Sequence, residues 1–183
     1  MQLVVKEDRN VYSCPTVSSS QEKQIRSGCP INLTLEVLGD RWSLILIRDM
    51  MFADRHHFGD LMRGSIENIA SNMLADRLRR LEVAGIVTKK DDSSHSQKVR
   101  YDLTEKGIQL LPVLVSMGAW GRRHLPVTDE LAARNQALEE GGAPMLAAFM
   151  DQLRRDHLGS QTASDRDVRA ELASAKRRAA GLD

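Results

Sequence analysis

The stretch "NMLADRLRRLEVAGIVTKK", residues 72–90, decides how the rest of the chain is read. Leu74, Leu78 and Leu81 recur at helical spacing, so one face of a helix is built for burial. Asn72, Asp76, Arg77, Arg79 and Arg80 fall on the other side. Gly85 stops the helix, and a short basic strand, "GIVTKK", follows at once. The pattern is a polar, arginine-bearing helix face next to a basic strand.

Working outward, the sequence predicts helices on both sides of this stretch. Pro30 suits a first helical turn, where its missing N–H costs nothing. Ile31, Leu35 and Leu38 then line one face, and Gly39 ends the helix. Asp40 is placed to cap a second helix in "RWSLILIRDMMF", with Trp42, Ile45 and Leu46 inward. A short third helix lies in "HFGDLMRG", with Phe58, Leu61 and Met62 apolar. Beyond the turn-rich "DDSSHSQ", Val99, Tyr101 and Leu103 alternate with Lys98, Arg100 and Asp102, the period of a half-buried strand.

Thr104 is expected to cap one long helix, "EKGIQLLPVLVSMGAWGRRH", bent at Pro112, which removes the bond to the Ile108 carbonyl. It carries two apolar rows, Ile108–Leu111–Val115 and Leu110–Leu114–Met117, and so needs more than one packing partner. From Pro126 the pattern is helical again over 128–140 and "PMLAAFMDQLRRDHL", followed by a capped Ala-rich segment from Ser164. The organisation expected is a flexible polar arm over 1–27, a folded domain over 28–125 and a helical C-terminal extension over 126–183.

Bulk composition narrows the classes. A chain of 183 residues suits one domain plus appendages. A formal charge of +1 creates no global field, so nucleic-acid binding requires a local basic patch. Two cysteines, Cys14 and Cys29, make no disulfide framework and point to a reducing compartment. The charged start lacks a signal-peptide core, and "LLPVLVSMGAW" falls far short of the ~20 apolar residues that span a bilayer. The expected location is cytoplasmic, with no membrane association.

Helix, helix, short helix, amphipathic helix, two-stranded wing, long helix is the order of a winged helix-turn-helix, a mainly α (α+β) fold. The helix at 72–84 would enter the DNA major groove and the hairpin would run beside it. Between 69 and 103 seven Lys/Arg stand against five Asp/Glu, an excess of only +2. Placement favours DNA more than the sum does, because the acids gather at the wing tip and helix end. An ordinary solvated face, with Arg79 or Arg80 paired to Glu82 or Asp76, accounts for the helix alone. The basic hairpin and preceding short helix in this order tip the balance toward DNA.

"CPINLTLEVLGDRWSLILIRDMM", "HHFGDLMR", "IASNMLADRLRRLEVAGIVTK", "VRYDLTEKG" and "LLPVLVSMGAWGRRH" together resemble the HxlR-type family of bacterial winged-helix regulators, from Cys29 to about His124. The resemblance implies a homodimeric transcription factor on a palindromic operator. It places base reading on Ser71, Asn72, Asp76 and Arg77, with Arg80 on the same polar face. Asn pairs bidentately with adenine and Arg with guanine; for Arg77, a phosphate contact or an internal brace stands as the alternative. Wing contacts, mainly to phosphate, fall on Lys89, Lys90, His95, Lys98 and Arg100. Dimerisation in the family uses the first helix and the long helix after the wing, here Ile31, Leu35, Leu111, Leu114, Val115 and Trp120, with plain core as the alternative for Trp120. Ala70 stands where many relatives carry a capping hydroxyl, a role left to Ser71 or Asn68.

Several family members sense oxidants or electrophiles at the position of Cys29. A helix N-terminus stabilises a thiolate, and Arg26 adds to that effect. A small packed thiol is the competing account. Cys14 has no counterpart in the family pattern.

Other classes fare worse. His56 and His57 are adjacent and point to different sides, so they make no two-ligand metal pair. HExxH, CxxC, a phosphate-gripping glycine loop and a nucleophile elbow are all missing. The expectation is no enzyme, no catalytic residue, no cofactor and no metal. A dimeric winged-helix module without DNA binding would have lost wing basicity, yet four Lys/Arg remain. A regulator sensing a small molecule through its extension is a further alternative, with the effector unknown.

Overall fold

The computed structural model describes residues 27–92, 99–161 and 166–182. Cys14, His95, Lys98, Ser164 and nearly all of the expected arm lie outside these residues. The elements run α1 (Pro30–Leu38), α2 (Ser43–Ala53), α3 (Phe58–Gly64), α4 (Ser71–Val83), β1 (Val87–Asp91), β2 (Val99–Leu103), α5 (Glu105–Ile108), α6 (Leu111–His124), α7 (Asp129–Leu158) and α8 (Val168–Ala179).

Local signals set most boundaries. Asp40 Oδ1 accepts from the Trp42 and Ser43 N–H groups at 2.8 and 3.0 Å, capping α2. Gly85 takes the left-handed conformation (φ 68°). There the Ile86 and Gly85 N–H groups bond back to the Leu81 and Glu82 carbonyls, both at 2.9 Å, closing α4. Thr104 Oγ1 accepts from the Gly107 N–H at 3.2 Å, as a capping residue should. β1 and β2 pair antiparallel, with Val87 opposite Leu103 and Lys90 opposite Arg100. The Tyr101 N–H reaches the His56 carbonyl at 2.7 Å, so the α2–α3 loop lies along the outer edge of β2.

The core is continuous. Leu46, Ile47, Met50 and Met51 of α2 meet Leu61 of α3, Leu74, Leu78 and Leu81 of α4, and Ile86, Val87 and Leu103 of the wing. Each such burial contributes roughly 1.5–3 kcal/mol. Leu138, Met145, Phe149 and Leu153 of α7, with Val168 and Leu172 of α8, belong to the same cluster. The extension folds back on the domain.

Two expectations are corrected, and a third holds. The long helix after Thr104 is two helices, because Gln109 and Leu110 form a turn and Pro112 falls in the first turn of α6. A proline there loses no helical bond, whereas mid-helix it would clash with the carbonyl four residues back. The division expected between 128–140 and the segment from Pro144 is present: α7 is interrupted at Gly142 (φ 59°, ψ −155°), with Pro144 restarting the helix. Finally, α8 starts at Val168 and is capped by Asp167, whose Oδ1 accepts from the Ala170 N–H at 2.9 Å.

Candidate DNA-binding interface

α4 presents its leucine face to the core and its polar face outward. No side chain caps it: Ala70 is the N-cap residue, and Asn68 instead takes a left-handed turn (φ 54°). Ser71 and Asn72 at the first turn are exposed, and Asn72 Oδ1 accepts from the Met73 N–H at 2.9 Å. An N-terminus without a side-chain cap leaves amide groups open to an anion.

Asp76 organises the arginines rather than standing free to read a base. It pairs with Arg79 at 3.0 Å and with Arg80 at 2.8 Å. The Arg79 hydrogen bond, with the charges of Arg80 and Arg77, holds its carboxyl below the ordinary range. Arg79 and Arg80 nevertheless remain 67% and 59% exposed in their side chains. Exposed pairs of this kind are weak and screened by solvent, so a phosphate can compete for either arginine.

Arg77 is a brace. Its side chain is 14% exposed, with Nε 3.2 Å from Asp40 Oδ1 in an ion pair. The recognition helix is thereby tied to the start of α2. Burial works against the Asp40 charge, but bonds from Ser43 and Trp42 and the Arg77 charge keep its carboxyl low. Asp40→Ala removes cap and brace together and is expected to destabilise the fold by about 1–2 kcal/mol in urea unfolding. Asp40→Asn retains the cap, so the difference between the two variants separates the roles.

A second brace holds the turn between α3 and α4. Arg48 bonds Glu67 through two nitrogens, at 2.7 and 2.9 Å. Arg48 and Arg55 share Asp49, at 2.7 and 2.9 Å. These residues stand out in no local sequence pattern. Only the 19-residue separation of Arg48 from Glu67, with opposite charges flanking a turn, hinted at them.

On the wing, Lys89 and Lys90 are exposed on β1, as a phosphate-contacting role requires. Arg100 is not available in that way: its Nε lies 2.9 and 3.1 Å from the two Asp102 oxygens, and its Nη2 reaches the Asp156 carbonyl at 3.2 Å. It faces inward because β2 is covered by the end of α7, which the alternation of the strand could not reveal.

The expected dimer residues separate into three groups. Leu111 and Val115 are buried in this chain's own core, beside Ile108, so that row of α6 is already covered. Leu114 is half-buried. Ile31, Leu35 and Trp120 are exposed, at 71%, 59% and 58%, and Val113 and Met117 join them on the outer row of α6. Between α1 and α4 lies an open cleft of about 370 Å³ lined by Leu35, Asp40, Arg77 and Val83 among others. Cys29 is the exposed N-cap residue of α1, its carbonyl accepting from the Leu33 N–H at 3.0 Å.

One further polar cluster went unforeseen. His56 lies beside Asp102 and His157, which comes from the far end of α7. Burial pushes the His56 imidazole down, but hydrogen bonds to Asp102 and Asp54 outweigh it and raise the pKa to about 9. Burial dominates at His157 and pushes it down.

Residues 37–129 match the model of the HxlR-like helix-turn-helix family. The chain is 34% identical to YybR of Bacillus subtilis, an uncharacterized HTH-type transcriptional regulator, over 60% of this chain and 89% of YybR. A second uncharacterized regulator of that organism, YdeP, is 33% identical over 60% of this chain and 84% of its own. Among solved structures, the candidate transcription factor PA1607 superposes with a TM-score of 0.52 at 34% identity, covering 57% of this chain and 70% of PA1607. Family match, relatives and architecture agree, and the chain belongs to the HxlR-like helix-turn-helix family: it is a transcriptional regulator with a winged-helix DNA-binding fold, not an enzyme.

Proposed function

We propose that the protein is a repressor that binds a palindromic operator as a homodimer, with thiol modification of Cys29 weakening its hold on DNA. The observation that carries this is the exposed apolar set on α1 and α6: Ile31, Leu35, Val113, Met117 and Trp120. Such a set, too apolar for a solvated surface, suits an isologous contact in which each copy covers the other. A two-fold dimer presents two copies of α4 to half-sites about 34 Å apart, so its operator is an inverted repeat. A compact dimer on a promoter blocks polymerase without further parts, which favours repression.

Ser71 and Asn72 read base edges, Arg79 and Arg80 hold phosphates beside α4, and Lys89 and Lys90 hold phosphates on the wing. Lys89→Ala/Lys90→Ala should weaken binding evenly across sequences. Each lysine neutralises one phosphate, so the slope of log affinity against log salt should fall by about 1.8 per protomer. Fluorescence anisotropy across a salt series measures it.

Cys29 is exposed at the start of α1, two residues before the exposed Ile31 and six before Leu35. A group added to its sulfur would alter the packing of α1 against a partner and so the spacing of the two recognition helices. No described helix is long and apolar enough to cross a membrane. The test is binding to DNA upstream of the protein's own gene, with and without diamide, for wild type and Cys29→Ser. Release of wild type by diamide while Cys29→Ser stays bound supports the switch. Equal behaviour of both proteins removes Cys29 from it.

A further inference from the structure

Away from the DNA face, three distant segments bring ionisable side chains to one buried point. His56 comes from the loop between α2 and α3, Asp102 from β2, and His157 from the last turn of α7. All three are buried, and one ligand-type atom of each lies within 4.8 Å of the other two. His56 Nδ1 is 2.8 Å from Asp102 Oδ1, and His157 Nδ1 is 3.5 Å from the same oxygen. The two imidazole rings lie 4.6 Å apart. DNA recognition uses none of them.

The surroundings are rich in charge. Asp54 is 3.1 Å from His56 Nε2, Arg100 holds Asp102, and Arg169 joins Asp156 at 2.8 Å and Asp54 at 3.2 Å. Three carboxylates face two guanidinium groups, and His56, with a carboxylate oxygen against each ring nitrogen, supplies the third positive charge when protonated. A bound divalent ion would take the place of that proton beside the buried Asp102 carboxylate, which is costly to leave without a cation. In addition, His157 Nε2 is buried without a hydrogen-bond partner.

Two imidazoles and one carboxylate form a donor set for divalent first-row transition metals. Bonds of about 2.0–2.1 Å set donor atoms roughly 3.4 Å apart around a tetrahedral ion, within the 2.8–3.5 Å range seen here. A ligating histidine normally donates its other N–H to a carboxylate, and Asp54 occupies that place beside His56. The Tyr101 carbonyl, 3.2 Å from His56 Nδ1, is near enough to act as a fourth donor. An ion would have to share Asp102 with Arg100 and displace the Leu103 N–H, which bonds His157 Nδ1 at 3.3 Å. That competition selects ions that bind imidazole strongly, such as zinc, over magnesium or calcium. We propose that His56, Asp102 and His157 bind one divalent transition-metal ion of the zinc class, tying the end of α7 to wing strand β2.

The test uses the full chain carrying Cys14→Ser and Cys29→Ser, so that no thiolate contributes. After chelator treatment it is titrated with Co²⁺, then Zn²⁺. The expected result is one Co²⁺ per chain with visible d–d absorption, displaced by Zn²⁺, and a higher unfolding temperature with the ion. His56→Gln and His157→Gln should each weaken binding by more than the roughly 10–100-fold expected for Asp54→Asn, the orienting partner. His124→Gln, at the exposed end of α6, should leave binding unchanged. Circular dichroism checks the fold of each variant. Absence of saturable Co²⁺ binding overturns the proposal, as does undiminished binding in a folded His157→Gln protein. Should the histidine variants not fold, unchanged affinity in Asp54→Asn overturns it equally.

Discussion

Leu35→Asp combined with Trp120→Asp is expected to leave a folded monomer whose affinity for the operator is about 10²–10⁴-fold weaker than wild type. Both side chains are more than half exposed in the single chain, so an aspartate at either position disturbs little within it. The only ring partner of Trp120 among the described residues is His124, with centroids 5.1 Å apart. In a dimer the same positions would be buried, and an uncompensated carboxylate there is strongly unfavourable. Operator affinity falls because the second half-site no longer binds as an intramolecular event. Light scattering gives the mass, anisotropy the affinity and urea unfolding the stability. A double variant that remains dimeric places the interface elsewhere. One that unfolds assigns these side chains to the core.

Phe149→Ala is expected to destabilise the protein by about 3–5 kcal/mol, measured by urea unfolding. Phe149 is fully buried, and its ring lies 5.5 Å from that of Phe52 in α2. The cavity would open between the extension and the domain, where neither side can collapse far, since α7 is also held by Leu153 and by the Arg154–Glu105 pair at 2.7 Å. Loss near 1 kcal/mol would mean that the extension is a loosely attached arm. A large loss in a single cooperative transition would mean that the HxlR-like region and everything after residue 129 fold as one unit.

Local chemistry was legible in the sequence. The leucine spacing of α4, its Gly85 stop and the Asp40 and Thr104 caps each depend on neighbours within a few positions. Each was read from that window alone. The α5–α6 break was half legible: Pro112 marked a disturbance, but whether it sits mid-helix or in a first turn depends on where the helix begins. Long-range partners were not legible. Arg77 looks like a base reader until Asp40, 37 positions earlier, is seen beside it. Arg100 looks like a wing phosphate contact until α7 covers β2. His157 seemed an ordinary residue on an amphipathic helix, yet it meets His56 from 101 positions away. Leu111 and Val115 differ from Met117 and Trp120 only in which side of α6 the extension and core leave open.

Selection from a pool of random duplexes, followed by anisotropy on the recovered site with wild type and Asn72→Ala, asks whether α4 reads a DNA sequence. An inverted repeat is expected, with half-sites about one helical turn apart and at least ~10³-fold preference over scrambled DNA. Asn72→Ala should lose about 1–3 kcal/mol of discrimination at one base pair in each half-site and leave the others intact. A pool that fails to converge, or a site bound equally by wild type and Asn72→Ala, would contradict recognition through α4.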